Sequence, residues 1–64
     1  MDIKKRVFLT TKMKNKKIEG FNYVVSYNDT DKFFTFKDKF FKSEKKALEF
    51  YNTLSTNLKT IYYL

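Results

Sequence analysis

Residues 21–37 read FNYVVSYNDTDKFFTFK, a stretch in which two aromatic segments flank a polar turn. In the first segment every second residue is apolar, as expected for a strand with one buried face (Phe21, Tyr23, Val25 and Tyr27). Residues 28–31 are Asn, Asp, Thr and Asp, and Asn and Asp favour turns because their side chains bond to their own backbone. Residues 33–37 continue the alternation beyond this turn. The stretch therefore predicts a β-hairpin.

The length of the turn sets the predicted register of this hairpin. A four-residue loop at 28–31 pairs the strands as Tyr27–Lys32, Val25–Phe34 and Tyr23–Phe36. These pairs place the aromatic side chains of both strands on one face, as a sheet with a single buried face requires.

The segment Ile3–Met13, upstream of the hairpin, also alternates and is predicted to be the first strand. One parity carries aliphatic side chains, and the other carries cations, hydroxyl groups and Phe8. Residues 14–18 are predicted to form a basic connection, which places Val7 opposite Val25 and Leu9 opposite Tyr23. Gly20, the only glycine, is predicted to mark a bulge or a close approach.

Downstream of the hairpin, the sequence predicts one helix and one further strand. Ser43 is a typical N-cap, Glu44 complements the helix dipole, and an apolar stripe follows at helical spacing. The helix is predicted over residues 44–56, with Asn57 as its C-terminal cap. Residues 59–64 are predicted to return as a fourth strand, parallel to the third and beside the first. A loose tail and a strand exchanged within a dimer are the alternatives.

These elements predict one small α+β domain over residues 1–64. Its sheet has three antiparallel strands and a short C-terminal strand in the order β-β-β-α-β, and the helix packs on one face. The chain of 64 residues contains no Cys and no His, which argues against a disulfide, a zinc site or a His or Cys catalyst. Asp29 and Asp31 are assigned to the turn. We expect no enzymatic activity, no metal and no cofactor.

Positive charge is concentrated at the start of the chain. Residues 1–17 hold seven cations and one anion, a net +6, whereas residues 18–64 hold seven cations and six anions, a net +1. A local field of this kind attracts polyanions. The chain has thirteen Lys and one Arg, a composition that an AT-rich genome favours, but this bias does not explain why the charge lies before residue 18.

The predicted registers place a basic surface on the sheet face opposite the helix. The rows on this face are Arg6–Ser26–Phe33, Phe8–Val24–Thr35, Thr10–Asn22–Lys37 and Lys12–Gly20–Lys39. Such a face offers phosphate ligands and two rings on which unpaired bases can stack. A lysine-rich hairpin tip at residues 12–17 extends it. The predicted binding residues are Lys4, Arg6, Phe8, Thr10, Lys12, Lys14, Lys16, Lys17, Asn22, Phe33, Lys37 and Lys39.

Two functions from different classes fit this surface. The first is a nucleic-acid-binding module with phosphate-dominated contacts and low specificity, since Lys acts as a point charge, serving as an accessory factor of a phage or mobile element. The second is a small, phage-encoded interaction or inhibitor module that docks on an acidic protein surface. In a third interpretation, Phe8 and Phe33 are buried within the chain or in a homodimer interface. The tip lysines can also simply keep a sheet edge unpaired.

The sequence does not predict association with a membrane. No apolar run approaches the roughly 20 residues that span a bilayer, and the basic N-terminal segment alternates like a strand. The same segment lacks the apolar core of a signal peptide. We therefore expect a cytoplasmic protein.

Overall fold

A computed structural model describes residues 3–5, 9–28 and 36–64. Its elements, in chain order, are β1 (Lys4–Lys5), α1 (Thr11–Ile18), β2 (Tyr23–Tyr27), β3 (Lys37–Phe41), α2 (Glu44–Thr53) and β4 (Lys59–Tyr63). The four strands form one sheet in the order β1-β4-β2-β3. The predicted α+β class is confirmed. The predicted β-β-β-α-β arrangement is wrong in detail, because the described chain has two helices and a mixed sheet.

The fourth strand lies in the interior of the sheet. β4 runs antiparallel to β2, with Val25 opposite Ile61, and parallel to β1, with Lys4 opposite Tyr62. The predicted return of this segment beside the first strand is therefore confirmed. Its direction is also confirmed, since β3 and β4 both run antiparallel to β2. The predicted pairing of the first strand with the second is wrong, because β4 lies between them.

The hairpin of β2 and β3 is confirmed, but its predicted register is wrong. Val25 faces Lys39 and Tyr23 faces Phe41, where the sequence predicted Phe34 and Phe36. This register buries apolar side chains on both faces of the sheet. Val24 and Phe40 pack on one face, and their neighbours Val25 and Phe41 pack on the other. Residues 29–35, which include all of the predicted turn except Asn28 and most of the predicted third strand, lie outside the described residues.

The most basic segment of the chain is a helix. The sequence predicted a strand to Met13 and a loop at 14–18, yet Thr11–Ile18 forms α1. Thr10 is the N-cap, and its hydroxyl oxygen accepts a hydrogen bond from the Met13 N–H at 3.3 Å. Lysine favours a helix here because its unbranched side chain loses little rotamer freedom.

Gly20 ends α1 and does not form the predicted bulge. It has a φ of 99°, a conformation that glycine adopts without a Cβ penalty. The Gly20 N–H donates to the Lys17 carbonyl oxygen and the Phe21 N–H donates to that of Lys16, both at 3.0 Å. These two bonds are the Schellman arrangement, and they satisfy carbonyl groups that the helix end leaves unpaired.

Helix α1 covers one face of the sheet. Met13, only 4% exposed, packs with Val24 and Leu64, and partly buried apolar side chains surround them (Leu9, Phe40 and Tyr62). Val24 is 0% exposed. The sheet face that was predicted to be open is therefore covered at its centre.

Helix α2 covers the other face, as predicted. Ala47 packs against Val25 and Ile61, and Ser43 is the N-cap, accepting a hydrogen bond from the Lys46 N–H at 3.2 Å. The helix ends at Thr53, earlier than the predicted residue 56, and Asn57 is not its cap. The Lys59 ammonium donates instead to the carbonyl oxygens of Tyr51 and Leu54, at 3.0 and 3.1 Å.

Candidate nucleic-acid interface

Helix α1 carries four lysines and no acidic residue: Lys12, Lys14, Lys16 and Lys17. Met13 packs on the sheet, with Lys12 and Lys14 about 100° around the helix to either side of it. Lys16 and Lys17, at i+3 and i+4, lie on the same side of the helix as Met13. Lys12, Lys14 and Lys17 are exposed and Lys16 is half-buried. The predicted cluster of lysines at 12–17 is thus retained on one segment, although a helix and not a hairpin tip displays it.

The last turn of α1 is fixed to the sheet through Lys17. Its Nζ donates a hydrogen bond to the main-chain oxygen of Leu64 at 2.9 Å. Leu64 is buried beneath α1 beside Met13. The position of this helix end is therefore set by both a polar and an apolar contact.

Lys16 of α1 and one further lysine, Lys42, lie near the same aromatic ring in the segment between α1 and β2. The Nζ atoms of Lys16 and Lys42 lie 5.4 and 5.3 Å from the centroid of the Phe21 ring. The half-buried Phe21 ring lies edge-on to that of Phe40, with the centroids 6.5 Å apart. Lys16 also forms an ion pair with Glu19 at 3.3 Å.

The sheet topology gathers more cations at the same end of the molecule. β2 begins where β3 and β4 end, since Tyr23 faces both Phe41 and Tyr63. β1 pairs with the end of β4, and α2 begins shortly after β3. We call the lysines at this end the basic end, which comprises Lys4, Lys5, Lys16, Lys17, Lys42, Lys45 and Lys46. The described carboxylates nearby are Glu19, Glu44 and Glu49, the last of which forms an ion pair with Lys46 at 3.9 Å.

Two of the predicted binding residues have structural roles. The Thr10 side chain caps α1. The main chain of Asn22 joins the sheet, where its N–H donates to the Phe41 carbonyl and its carbonyl accepts from Leu64. The side chain of Asn22 is exposed, as is that of Lys4 on β1.

The structure separates Lys37 and Lys39 from the other predicted residues. The observed register places them in the rows of Tyr27 and Val25, on the α2 face, and Lys39 Nζ lies 4.9 Å from the Phe50 ring centroid. The predicted row of Thr10, Asn22 and Lys37 is therefore wrong. Arg6, Phe8 and Phe33 lie outside the described residues.

Sequence reasoning missed the half-buried Phe21 and five exposed residues of the basic surface: Lys5, Ile18, Lys42, Lys45 and Lys46. The signal for α1 was present, because Thr10 and Gly20 are typical start and stop residues around a lysine-rich segment. Alternation from Ile3 to Met13 obscured that signal. Lys42 has no local signal, since only the fold of the hairpin brings it to Phe21.

Within residues 3–5, 9–28 and 36–64, no three His, Cys, Asp or Glu side chains gather in a way that could hold a metal ion. None of the helices described is both long and apolar enough to cross a membrane. Comparison of the chain with protein-family models, curated proteins and solved structures finds no match.

Proposed function

We propose that this chain is a non-enzymatic nucleic-acid-binding module that contacts phosphates through α1 and the basic end. The observation that carries the proposal is the set of four lysines on α1 with no acidic residue among them. Exposed ammonium groups on one rigid element form the electrostatic footprint of a polyanion-binding surface. A role as an accessory factor of a phage or mobile element fits the small size and lysine-rich composition.

The chemistry of lysine sets the expected mode of binding. An ammonium group contacts phosphate as a point charge, whereas bidentate reading of guanine favours Arg. The contacts therefore fix the position of a nucleic-acid backbone and discriminate weakly between sequences. An α-helix fits the major groove of duplex DNA. Met13 anchors α1 to the sheet, and the exposed Lys12 and Lys14 lie about 100° around the helix to either side of it.

The direct test is fluorescence anisotropy with labelled duplex DNA, single-stranded DNA and RNA over a range of salt concentrations. Neutralisation of about four to six phosphates gives a slope of roughly −3 to −5 for log K against log salt. No binding by micromolar protein at about 50 mM salt, where phosphate contacts are strong, would overturn the proposal.

A pair of matched variants locates the surface. Lys12→Gln with Lys14→Gln removes two charges from α1, and Lys37→Gln with Lys39→Gln removes two charges from the α2 face. We expect the α1 pair to lower the magnitude of the salt slope by about 2 and the other pair to change it little. Equal losses in the two double variants would mean that net charge, and not α1, governs binding.

One observation favours a second candidate function, docking on an acidic protein. Ile18 is 84% exposed at the end of the basic helix, and an apolar side chain among cations is typical of a protein interface. Under this alternative, Ile18→Ser abolishes capture of one acidic protein in a nuclease-treated pull-down. Under the nucleic-acid proposal, Ile18→Ser leaves oligonucleotide affinity nearly unchanged.

A further inference from the structure

We infer that Lys16 and Lys42 together hold one backbone phosphate beside the ring of Phe21. The inference rests on the proposed function and adds to it a defined phosphate position. It starts from the finding that the ammonium groups of Lys16, on α1, and of Lys42, just after β3, lie 5.4 and 5.3 Å from the centroid of one aromatic ring.

The fold fixes the parts of this arrangement. The Phe21 N–H donates to the Lys16 carbonyl oxygen at 3.0 Å, and this bond follows the turn that Gly20 makes possible. The Phe21 ring packs against Phe40 of β3, whose next residue but one is Lys42. The end of α1 and the end of β3 are therefore held at the same ring.

Electrostatics makes this place attractive to an anion. The negative face of an aromatic ring attracts each ammonium group, but the two ammonium groups repel each other. An anion in contact with both removes that repulsion. A backbone phosphate suits the position because its two unesterified oxygens can each accept a hydrogen bond, one from Lys16 and one from Lys42.

Glu19 is the natural competitor for this phosphate. Its Oε2 lies 3.3 Å from the Lys16 Nζ in the free chain, so a carboxylate already occupies part of the hydrogen-bonding capacity of Lys16. Binding of a phosphate must replace that contact. Glu19 therefore weakens nucleic-acid binding at this position.

A double-mutant comparison tests the shared phosphate. The probe is a labelled oligothymidylate about 15 nucleotides long, a length that covers a single-strand binding site. If Lys16 and Lys42 share one phosphate, Lys16→Gln with Lys42→Gln lowers the salt slope by about 0.7, the contribution of one phosphate on a single strand. The control, Lys12→Gln with Lys14→Gln, removes equal charge from two separate phosphates and lowers the slope by about 1.4.

The outcomes separate this inference from the proposed function. Equal slope losses of about 1.4 in both double variants overturn the shared phosphate and leave nucleic-acid binding intact. Absence of binding by the unaltered chain overturns the proposed function. Far-ultraviolet circular dichroism of each variant shows that α1 and the sheet are retained.

A second readout needs no oligonucleotide. Because the ring current of Phe21 acts on both side chains, the ε-methylene protons of Lys16 and Lys42 should resonate upfield, and Phe21→Leu should abolish both shifts. In the unaltered chain, titration with inorganic phosphate should move both signals with one dissociation constant. Movement of only one signal, or different dissociation constants for the two, would overturn the shared site.

The competition with Glu19 has a matched control in α2. Glu49 forms an ion pair with Lys46 at the same i,i+3 spacing, at 3.9 Å. Glu19→Gln and Glu49→Gln change the net charge equally, so a difference between them reports position. We expect Glu19→Gln to tighten oligothymidylate binding several-fold more than Glu49→Gln does. An equal effect would show that Glu19 weakens binding no more than a carboxylate paired with another lysine of the basic end, and would overturn its competition at this phosphate.

Discussion

The Lys17 ammonium group lies 2.9 Å from the main-chain oxygen of Leu64, and this hydrogen bond joins the last turn of α1 to the end of β4. The lysines of α1 therefore differ in their roles. Lys17 holds the helix to the sheet, while Lys12 and Lys14 extend into solvent. Removal of Lys17 should cost stability as well as affinity.

We expect Lys17→Met to lower the free energy of unfolding by about 1 kcal/mol, the usual contribution of one partly buried hydrogen bond. Lys14→Met, which removes the same charge from the exposed side of the helix, should change it little. Urea unfolding followed by circular dichroism measures both. Equal stability of the two variants would mean that the contact with Leu64 contributes nothing.

Gly20→Ala should destabilise the chain by about 1–2 kcal/mol, because a Cβ disfavours the positive φ at this position. A Cβ added at Gly20 would meet no heavy atom within 4 Å beyond its chain neighbours, so the cost is conformational and not a steric clash with packed side chains. Gly20→Asn should recover part of the loss, since Asn tolerates left-handed angles. Thermal unfolding compares the three proteins, and an unchanged Gly20→Ala midpoint would contradict this account of the helix end.

Met13 and Ile18 provide a test of the helical assignment of this segment. Met13→Ala should cost about 2–5 kcal/mol, enough to unfold a chain of this size. The milder Met13→Leu, which preserves volume, should cost less than about 1.5 kcal/mol. Ile18→Ala should be nearly neutral, because Ile18 is 84% exposed. A large loss on changing Ile18 would place it in the core and contradict the described orientation of α1.

Adjacent valines in β2 report whether both faces of the sheet are covered. Val24 and Val25 are each 0% exposed, one beneath α1 and the other beneath α2. Val24→Ala and Val25→Ala should therefore each cost about 2 kcal/mol in urea unfolding. If the face beneath α1 were open, Val24→Ala would hardly change the free energy of unfolding.

The α2 half of the molecule could be predicted from local sequence signals. Ser43 and the apolar stripe after it define a helix, and the β-rich segment from Lys59 defines the strand that follows it. Tyr23–Tyr27 alternates as a strand with neighbours on both sides. These elements depend on patterns within a few residues, which the sequence displays directly.

The α1 half could not be predicted because its pattern supports two structures. Ile3, Val7 and Leu9 alternate as a strand would, yet Thr10 and Gly20 bracket a segment of good helix formers. Burial decides between them, since Met13 can cover Val24 only if the chain turns into a helix above the sheet. A prediction based on one buried face omitted this second layer.

The error in the site follows from the error in the register. Lys37 and Lys39 were assigned to the face of Thr10 because the hairpin was paired around a four-residue turn. The observed pairing places both lysines on the α2 face. The cationic character of residues 12–17 was nevertheless predictable, because it depends on composition and not on which secondary structure the segment adopts.

The location of β4 between β1 and β2 has a consequence for how the chain is assembled. β4 and its partner β1 lie far apart in the sequence, with Lys4 opposite Tyr62 and Val24 in the same row. No local hairpin can therefore complete the sheet, and contacts of this separation slow folding. Before residues 59–63 pair with it, β2 has an unpaired edge on which strands of other molecules can add. A chain truncated before Lys59 should therefore aggregate and should not fold as a smaller version of the same sheet.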